Sequence, residues 1–186
     1  MSNTFEEICD KVLSYKEDHL LIGIDGRCAS GKTTLANSLQ QMFDCNVFHT
    51  DDFFLPQNMR TAERIQKAGA NIHYERLMDE VISPILSKQE YFKYGVFCCH
   101  KGNITREETV FYKKINIIEG AYSLHPYFGD VYNIKIFVDC DMEKRISRIT
   151  ARNGKDALSA FLDKWIVLEE AYLKEYSIKE KCDFYF

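Results

Sequence analysis

Short, almost wholly apolar runs alternate along this chain with segments whose apolar residues recur every three or four positions. That rhythm predicts strands alternating with helices. Leu20-Leu21-Ile22-Gly23-Ile24, Ile115-Asn116-Ile117-Ile118-Glu119 and Ile134-Lys135-Ile136-Phe137-Val138 are too continuous for strands with one wet face. They predict interior strands of a parallel sheet covered on both sides. Val47-Phe48-His49-Thr50 predicts a further short strand. Helices are expected over 4–14, over 33–43 with Leu35, Leu39 and Met42 inward, and over 61–68, stopping at Gly69. Tyr74, Leu77, Val81 and Ile85 share one face of the next helix, and Pro84 marks its kink or end. Leu158, Phe161, Leu162, Trp165, Leu168 and Tyr172 predict the buried stripe of a long final helix, with an edge strand at 182–186. Residues 91–100 and 108–112 favour strands separated by K-G-N-I-T-R, which predicts a hairpin over 91–112 beside the main sheet.

The 186 residues, 46% hydrophobic and 28% charged, suit one α/β domain spanning 1–186. A net charge of -4 with scattered Lys and Arg offers no basic face for nucleic acid or an anionic membrane. The leading segment carries acids where a secretory signal needs bases, and no apolar run nears the roughly 20 residues that span a bilayer. Seven cysteines without paired C-x-x-C spacing favour neither a disulfide framework nor a zinc site, so a cytoplasmic protein is expected. Cys98-Cys99-His100 lies on a strand, where neighbouring side chains point to opposite faces and chelate one ion poorly.

The chemistry is concentrated in Gly26-Arg27-Cys28-Ala29-Ser30-Gly31-Lys32-Thr33, a complete G-x-x-x-x-G-K-[ST] phosphate loop lying between an apolar strand and a helix. Such a loop surrounds a β-phosphate with backbone N–H groups, and the helix dipole supports it, with Thr34 in the first turn. Gly26 and Gly31 let the main chain come close. Lys32 reaches the β- and γ-phosphates, and the Thr33 hydroxyl is placed for Mg²⁺. ATP and Mg²⁺ are the expected cofactors.

Phosphoryl transfer also needs an oriented acceptor and positive charge over the moving group. Asp51 and Asp52 follow the second strand, at the carboxyl end where open α/β sheets bind ligands. One of them is expected to orient or deprotonate an acceptor hydroxyl; the plain alternative is a loop acid capping a turn. Glu119 ends another strand and is a candidate to hold Mg²⁺ directly or through water, the alternative being a pair with a nearby Lys. Arg145, Arg148 and Arg152 are spaced three and four apart, with Met142, Ile146 and Ile149 turned toward the core. This predicts either a phosphate-covering lid over 141–156, with Asp141 as its cap and Asn153-Gly154 as its end, or a solvated helix face.

In this order and at these separations, G-R-C-A-S-G-K-T, H-T-D-D-F-F, I-I-E-G and R-x-x-R-x-x-x-R resemble the uridine kinase-like branch of the uridine kinase and phosphoribulokinase family of P-loop kinases. The resemblance covers nearly the whole chain. It implies a nucleoside-kinase-like P-loop NTPase fold, a three-layer sandwich about a parallel sheet, with the hairpin on the acceptor side and the arginine helix as lid. It also implies Mg-ATP as donor and a small hydroxylated acceptor: a nucleoside, sugar or vitamin. The family's catalytic base falls on Asp51, which leaves Asp52 secondary, with Phe53 and Phe54 as the aromatics of the D-x-F-Y motif. Lys32 and Arg148 join Asp51 as expected catalytic groups, and Arg145 and Arg152 join the loop in holding the nucleotide. On the acceptor side, His73 stands where uridine kinases carry an Asp, next to Tyr74. Phe97-Cys98 stands where they carry Tyr-Asp. The expected substrate contacts are therefore Asp51, Phe54, His73, Tyr74 and Cys98, and kinase chemistry is better supported than uridine specificity. The other function class is a nucleotide-binding regulator or NTPase without a small acceptor.

Overall fold

The computed structural model describes residues 3–186. Helix α1 (Asn3–Ser14) leads into β1 (Leu20–Gly26), the phosphate loop and α2 (Lys32–Met42). After β2 (Cys45–His49) come two 3₁₀ turns, the short helices α3 (Ala62–Ile65) and α4 (Tyr74–Leu77), a π turn at Met78–Ile82, and α5 (Ser83–Leu86). The π turn lies just before Pro84, whose missing N–H would otherwise break the helical ladder. The hairpin β3 (Tyr91–Cys98) and β4 (Asn103–Phe111) precedes β5 (Ile115–Glu119) and β6 (Ile134–Val138). The chain closes with α6 (Met142–Asn153), α7 (Lys155–Ala160), a π turn at Phe161–Trp165, α8 (Ile166–Glu175) and β7 (Phe184–Tyr185).

Five strands form one sheet in the order β2-β5-β1-β6-β7, and every pairing is parallel. β1 is buried along its whole length, as its unbroken apolar run requires. Its side chains alternate between two cores. Leu20, Ile22 and Ile24 meet Ile8, Leu35 and Leu39 on one face, while Leu21 joins Phe48, Leu77, Val81, Ile85 and Tyr172 on the other. Helices on both faces of a parallel sheet make the three-layer α/β P-loop sandwich. The hairpin is a separate antiparallel sheet. Its β3 residues Phe92, Tyr94 and Val96 enter the second core, while most of β4 is exposed.

Several expectations shift. Met42 and Met142 are exposed and not inward, because each sits at a helix end beyond the stripe that meets the sheet. β2 is displaced to Cys45–His49, β4 begins earlier, at Asn103, and the helix near 61–68 is a single turn. Asp141 occupies the cap position of α6, yet its side chain makes no capping hydrogen bond and instead lies 3.3 Å from Lys144. The final helix departs most. Of its six expected core residues only Tyr172 is buried, and Ile166, Glu169 and Leu173 take the inner positions with it. The π turn at Phe161–Trp165 explains the slip, since its wider turn rotates the later residues away from a 3.6-residue stripe.

Candidate active site

The carboxyl ends of β1, β2 and β5 open onto a cavity of about 570 Å³ lined by the phosphate loop from Cys28 to Thr34, by His49, Asp51 and Asp52, by Glu119 and Gly120, and by Arg148, Arg152 and Glu169. The loop, the tandem acids, the strand-end acid and two of the three lid arginines, far apart in the chain, thus share one wall-to-wall space.

Within the loop, Ala29 takes the left-handed conformation, φ 58°, which a non-glycine residue adopts only under constraint. Such a twist turns successive N–H groups toward one side, the geometry of an anion nest. The Ser30 hydroxyl is buried in this wall without a hydrogen-bond partner, so the loop holds a polar atom suited to an incoming phosphate oxygen. Lys32 is also buried, and its Nζ donates to the Gly26 and Arg27 carbonyls at 2.7 and 2.9 Å. Gly26 serves a different purpose from the one its motif position suggests. At φ 135°, a Cβ there would lie 2.0 Å from the Val138 carbonyl oxygen, so its absence lets the end of β1 pack on β6.

Thr33 Oγ1 donates to Glu119 Oε1 at 2.9 Å, and His49 Nδ1 lies 2.6 Å from the same oxygen. That hydrogen bond, outweighing burial, raises the His49 pKa. Two oxygen donors meeting at the cavity wall suit Mg²⁺, which takes one or two protein ligands and completes its shell with water and substrate phosphates. Gly120, at φ 133°, allows the turn: a Cβ would fall 1.9 Å from Thr50 Oγ1.

Asp51 opens into the cavity but is crowded by protein. Desolvation pushes its pKa up and Glu119 adds to the rise, while Lys32, Arg152 and His49 oppose it. A carboxyl poised upward in this way is a better proton acceptor than an ordinary aspartate. Asp52 is also raised by burial, and its carbonyl accepts from Arg76 Nη2 at 2.6 Å.

The arginines divide. Arg148 Nη1 donates to the Ala29 and Ser30 carbonyls at 2.9 and 2.8 Å, holding α6 over the loop, and Arg152 lines the cavity beside it. Arg145 is 3% exposed and sits behind the loop, where its Nε donates to the Cys28 carbonyl at 2.9 Å. Arg27 likewise turns from the cavity, pairing with Asp139 and, at 2.6 Å, with Glu170.

Beside the hairpin a smaller cavity of about 240 Å³ is lined by Phe54, Phe97, Cys99, Trp165 and Arg60, among others. The structure does not bring His73 or Tyr74 into either space. His73 Nδ1 accepts the Arg76 N–H at 3.0 Å and caps α4, and burial lowers its pKa. Tyr74 stacks on His125 at 4.7 Å between ring centres. Phe97 and Cys99, of the odd-numbered series that alternates with the core residues Phe92, Tyr94 and Val96, line the smaller cavity and Cys98 does not.

Two site residues were not expected from the sequence. Asp25, fully buried, accepts from Gly26 N at 2.7 Å, Leu124 N at 3.0 Å and Tyr172 Oη at 2.8 Å, tying the loop's root to β5 and α8. Burial raises its pKa. Glu169 accepts the Cys28 N–H at 2.6 Å. Asp25 carried a signal, an acid ending an apolar strand directly before the loop; Glu169, one of several acids on a helix, carried none.

No protein-family model matches the chain. It is 30% identical over 148 residues to uridine kinase of Chlamydia pneumoniae, covering 74% of this chain and 65% of that one. It is also 30% identical over 142 residues to human nicotinamide riboside kinase 2, covering 72% and 58%. The chain thus spans less than two thirds of the length of these two relatives. A solved structure of a possible uridine kinase from Bacillus stearothermophilus superposes with a TM-score of 0.75 at 20% identity, over 99% of this chain and 97% of that one, and shares its fold.

Proposed function

We propose that this chain, which belongs to the uridine kinase-like family of P-loop kinases, transfers the γ-phosphate of ATP to a hydroxyl of a small nucleoside-like acceptor. The observation that carries the reading is the placing of Asp51 in the same cavity as the phosphate loop, opposite Lys32 and beside Glu119.

In this reading the loop amides and the Ser30 hydroxyl hold the β-phosphate, and Lys32 leaves its carbonyl partners to meet phosphate charge. Asp51 accepts the proton of the acceptor hydroxyl as the new O–P bond forms and the bond to the ADP oxygen breaks. Arg148 and Arg152 face the same space and stabilise charge on the transferring group while α6 excludes water. Mg²⁺, held by Thr33 and Glu119, would neutralise phosphate charge and orient the triphosphate. The names of the relatives, a uridine kinase and a nicotinamide riboside kinase, support a nucleoside-like acceptor. So does the aromatic lining of Phe54, Phe97 and Trp165 beside the main cavity.

The test is ATP turnover measured alone and then with a panel of uridine, cytidine, nicotinamide riboside, simple sugars and vitamins. Turnover that rises with one acceptor and yields its phosphorylated product is expected. Steady hydrolysis that no acceptor changes would favour a regulator or NTPase.

A further inference from the structure

Glu169 is an unusual neighbour for a phosphate site. It is 4% exposed, belongs to the cavity wall and carries an acid into a region built for anions. Its carboxylate is engaged: Oε2 accepts the Cys28 N–H at 2.6 Å. Arg145, equally buried, takes the other side of the same residue by donating from Nε to the Cys28 carbonyl at 2.9 Å. Arg145 Nη2 lies 3.7 Å from the same Glu169 oxygen and has no hydrogen-bond partner. Thus α6 and α8 each send one charged side chain to one residue of the loop, one gripping its N–H and the other its C=O. A backbone N–H bound to a carboxylate is strongly directed, and this one lies immediately before the left-handed Ala29.

We infer that Glu169 is a positioning residue for the nucleotide donor: with Arg145 it holds Cys28 from both sides and so sets the curvature of the phosphate loop before ATP arrives. The inference rests on the kinase reading only in taking the loop as the ATP site. The helix that follows the lid then belongs to the donor site as much as the loop does. Preorganisation of this kind lowers the ordering cost of binding without adding a contact to the ligand.

Two conservative variants separate positioning from simple charge balance. Glu169→Asp keeps the charge opposite Arg145 but withdraws the carboxylate by one methylene from Cys28. Glu169→Gln loses the charge but keeps an acceptor oxygen within reach of the amide. Calorimetric titration with Mg-ATP should show Asp binding about tenfold or more weakly, as expected for loss of a hydrogen bond to a charged group, and Gln within about threefold of the parent. KM for ATP should follow the same order, while KM for the acceptor stays unchanged. In the parent without nucleotide, the Cys28 amide should exchange slowly with deuterium, and Glu169→Asp should speed that exchange.

The reverse order, Gln weak and Asp normal, would overturn the inference and leave Glu169 as a counterion to Arg145. Equal binding by all three proteins, or rapid exchange at Cys28 in the parent, would overturn it as well. A parent that binds ATP but phosphorylates nothing removes the kinase reading and leaves this inference standing; a parent that binds no ATP removes both.

Discussion

The hydroxyl of Thr33 donates to Glu119 Oε1 across 2.9 Å, although the two residues stand 86 positions apart in the chain. β1 and β5 are hydrogen-bonded neighbours with Ile24 opposite Glu119, so the loop leaving one strand and the acid ending the other must meet above the sheet. The parallel sheet therefore assembles the site directly: acids and loops at its carboxyl edge are brought together by strand order, whatever their separation in sequence.

Asp51→Asn should leave ATP affinity near that of the parent and lower kcat by about 10²-fold or more, because the amide keeps the shape and cannot take the hydroxyl proton. The raised pKa adds a second signature. Parent kcat should fall as pH drops through the elevated Asp51 value, and the variant should lose that acid limb. If Asp52→Asn proves the more damaging substitution, the roles of the pair are reversed.

Arg148→Ala should lower kcat more than it weakens ATP binding. Its guanidinium holds α6 against the Ala29 and Ser30 carbonyls and lines the cavity, and in the proposed reading it stabilises the transferring group, so its effect should grow toward the transition state. Steady-state kinetics at saturating ATP and acceptor check it, and an unchanged kcat would return this helix face to a solvated role.

Glu169 makes stability depend on pH. Burial, only partly opposed by Lys32, the Cys28 amide and Arg145, pushes its pKa up to about 7 from 4.5, with Asp25 adding to the rise. The folded state then keeps the proton where the unfolded state has lost it. The stabilising contribution is full below about pH 4.5 and is lost as pH rises through about 7, amounting to at most about 3 kcal/mol. Glu169→Gln lacks this dependence, so its Tm should gain on that of the parent between pH 5 and pH 8. A Tm difference that stays constant across that range would contradict the assignment.

Uridine and cytidine should be poor acceptors, with kcat/KM below about 10⁴ M⁻¹s⁻¹. Two acids that line the nucleoside site in the uridine kinases this chain resembles are replaced here by His73 and by the Phe97-Cys98 pair. His73 is occupied in capping α4, and the cavity wall nearby presents Phe97 and Cys99. A buried substrate hydroxyl without a partner costs about 1–3 kcal/mol. Steady-state kinetics with uridine measure this, and ordinary efficiency would identify a plain uridine kinase.

Much of this was legible in the residues. The strands at Ile115–Glu119 and Ile134–Val138 were readable to the residue because both their faces are buried along most of their length and only Asn116 and Lys135 interrupt the apolar residues within them. The meeting of the phosphate loop, Asp51 and Glu119 in one cavity was legible because each lies at the carboxyl end of a strand of the parallel sheet. What failed did so for local reasons. The first half of β4, over 103–107, is exposed and reads as polar loop, since its order comes from backbone pairing with β3. The irregularity opposite Val96 and Phe97 leaves Thr105 of β4 without a partner, and a two-residue alternation has no way to announce it. The π turn at Phe161–Trp165 likewise alters helical phase without an unusual residue inside it, whereas the stripe Tyr74, Leu77, Val81 and Ile85 stays buried across the π turn at Met78–Ile82. That hidden change of phase put Glu169 inward.

The grip of Glu169 on Cys28 spans 141 residues of chain. During synthesis at about 5–20 residues per second, the loop therefore emerges roughly 7 to 28 seconds before the side chain that grips it. Until then the nascent chain carries every residue of the nucleotide motif without the arrangement that lets them act together. If Glu169 positions the loop as inferred, ATP has a weaker hold on the chain before α8 has packed and does less to draw it toward the folded state. On that inference, the loop reaches its full affinity only when α8 packs beside it.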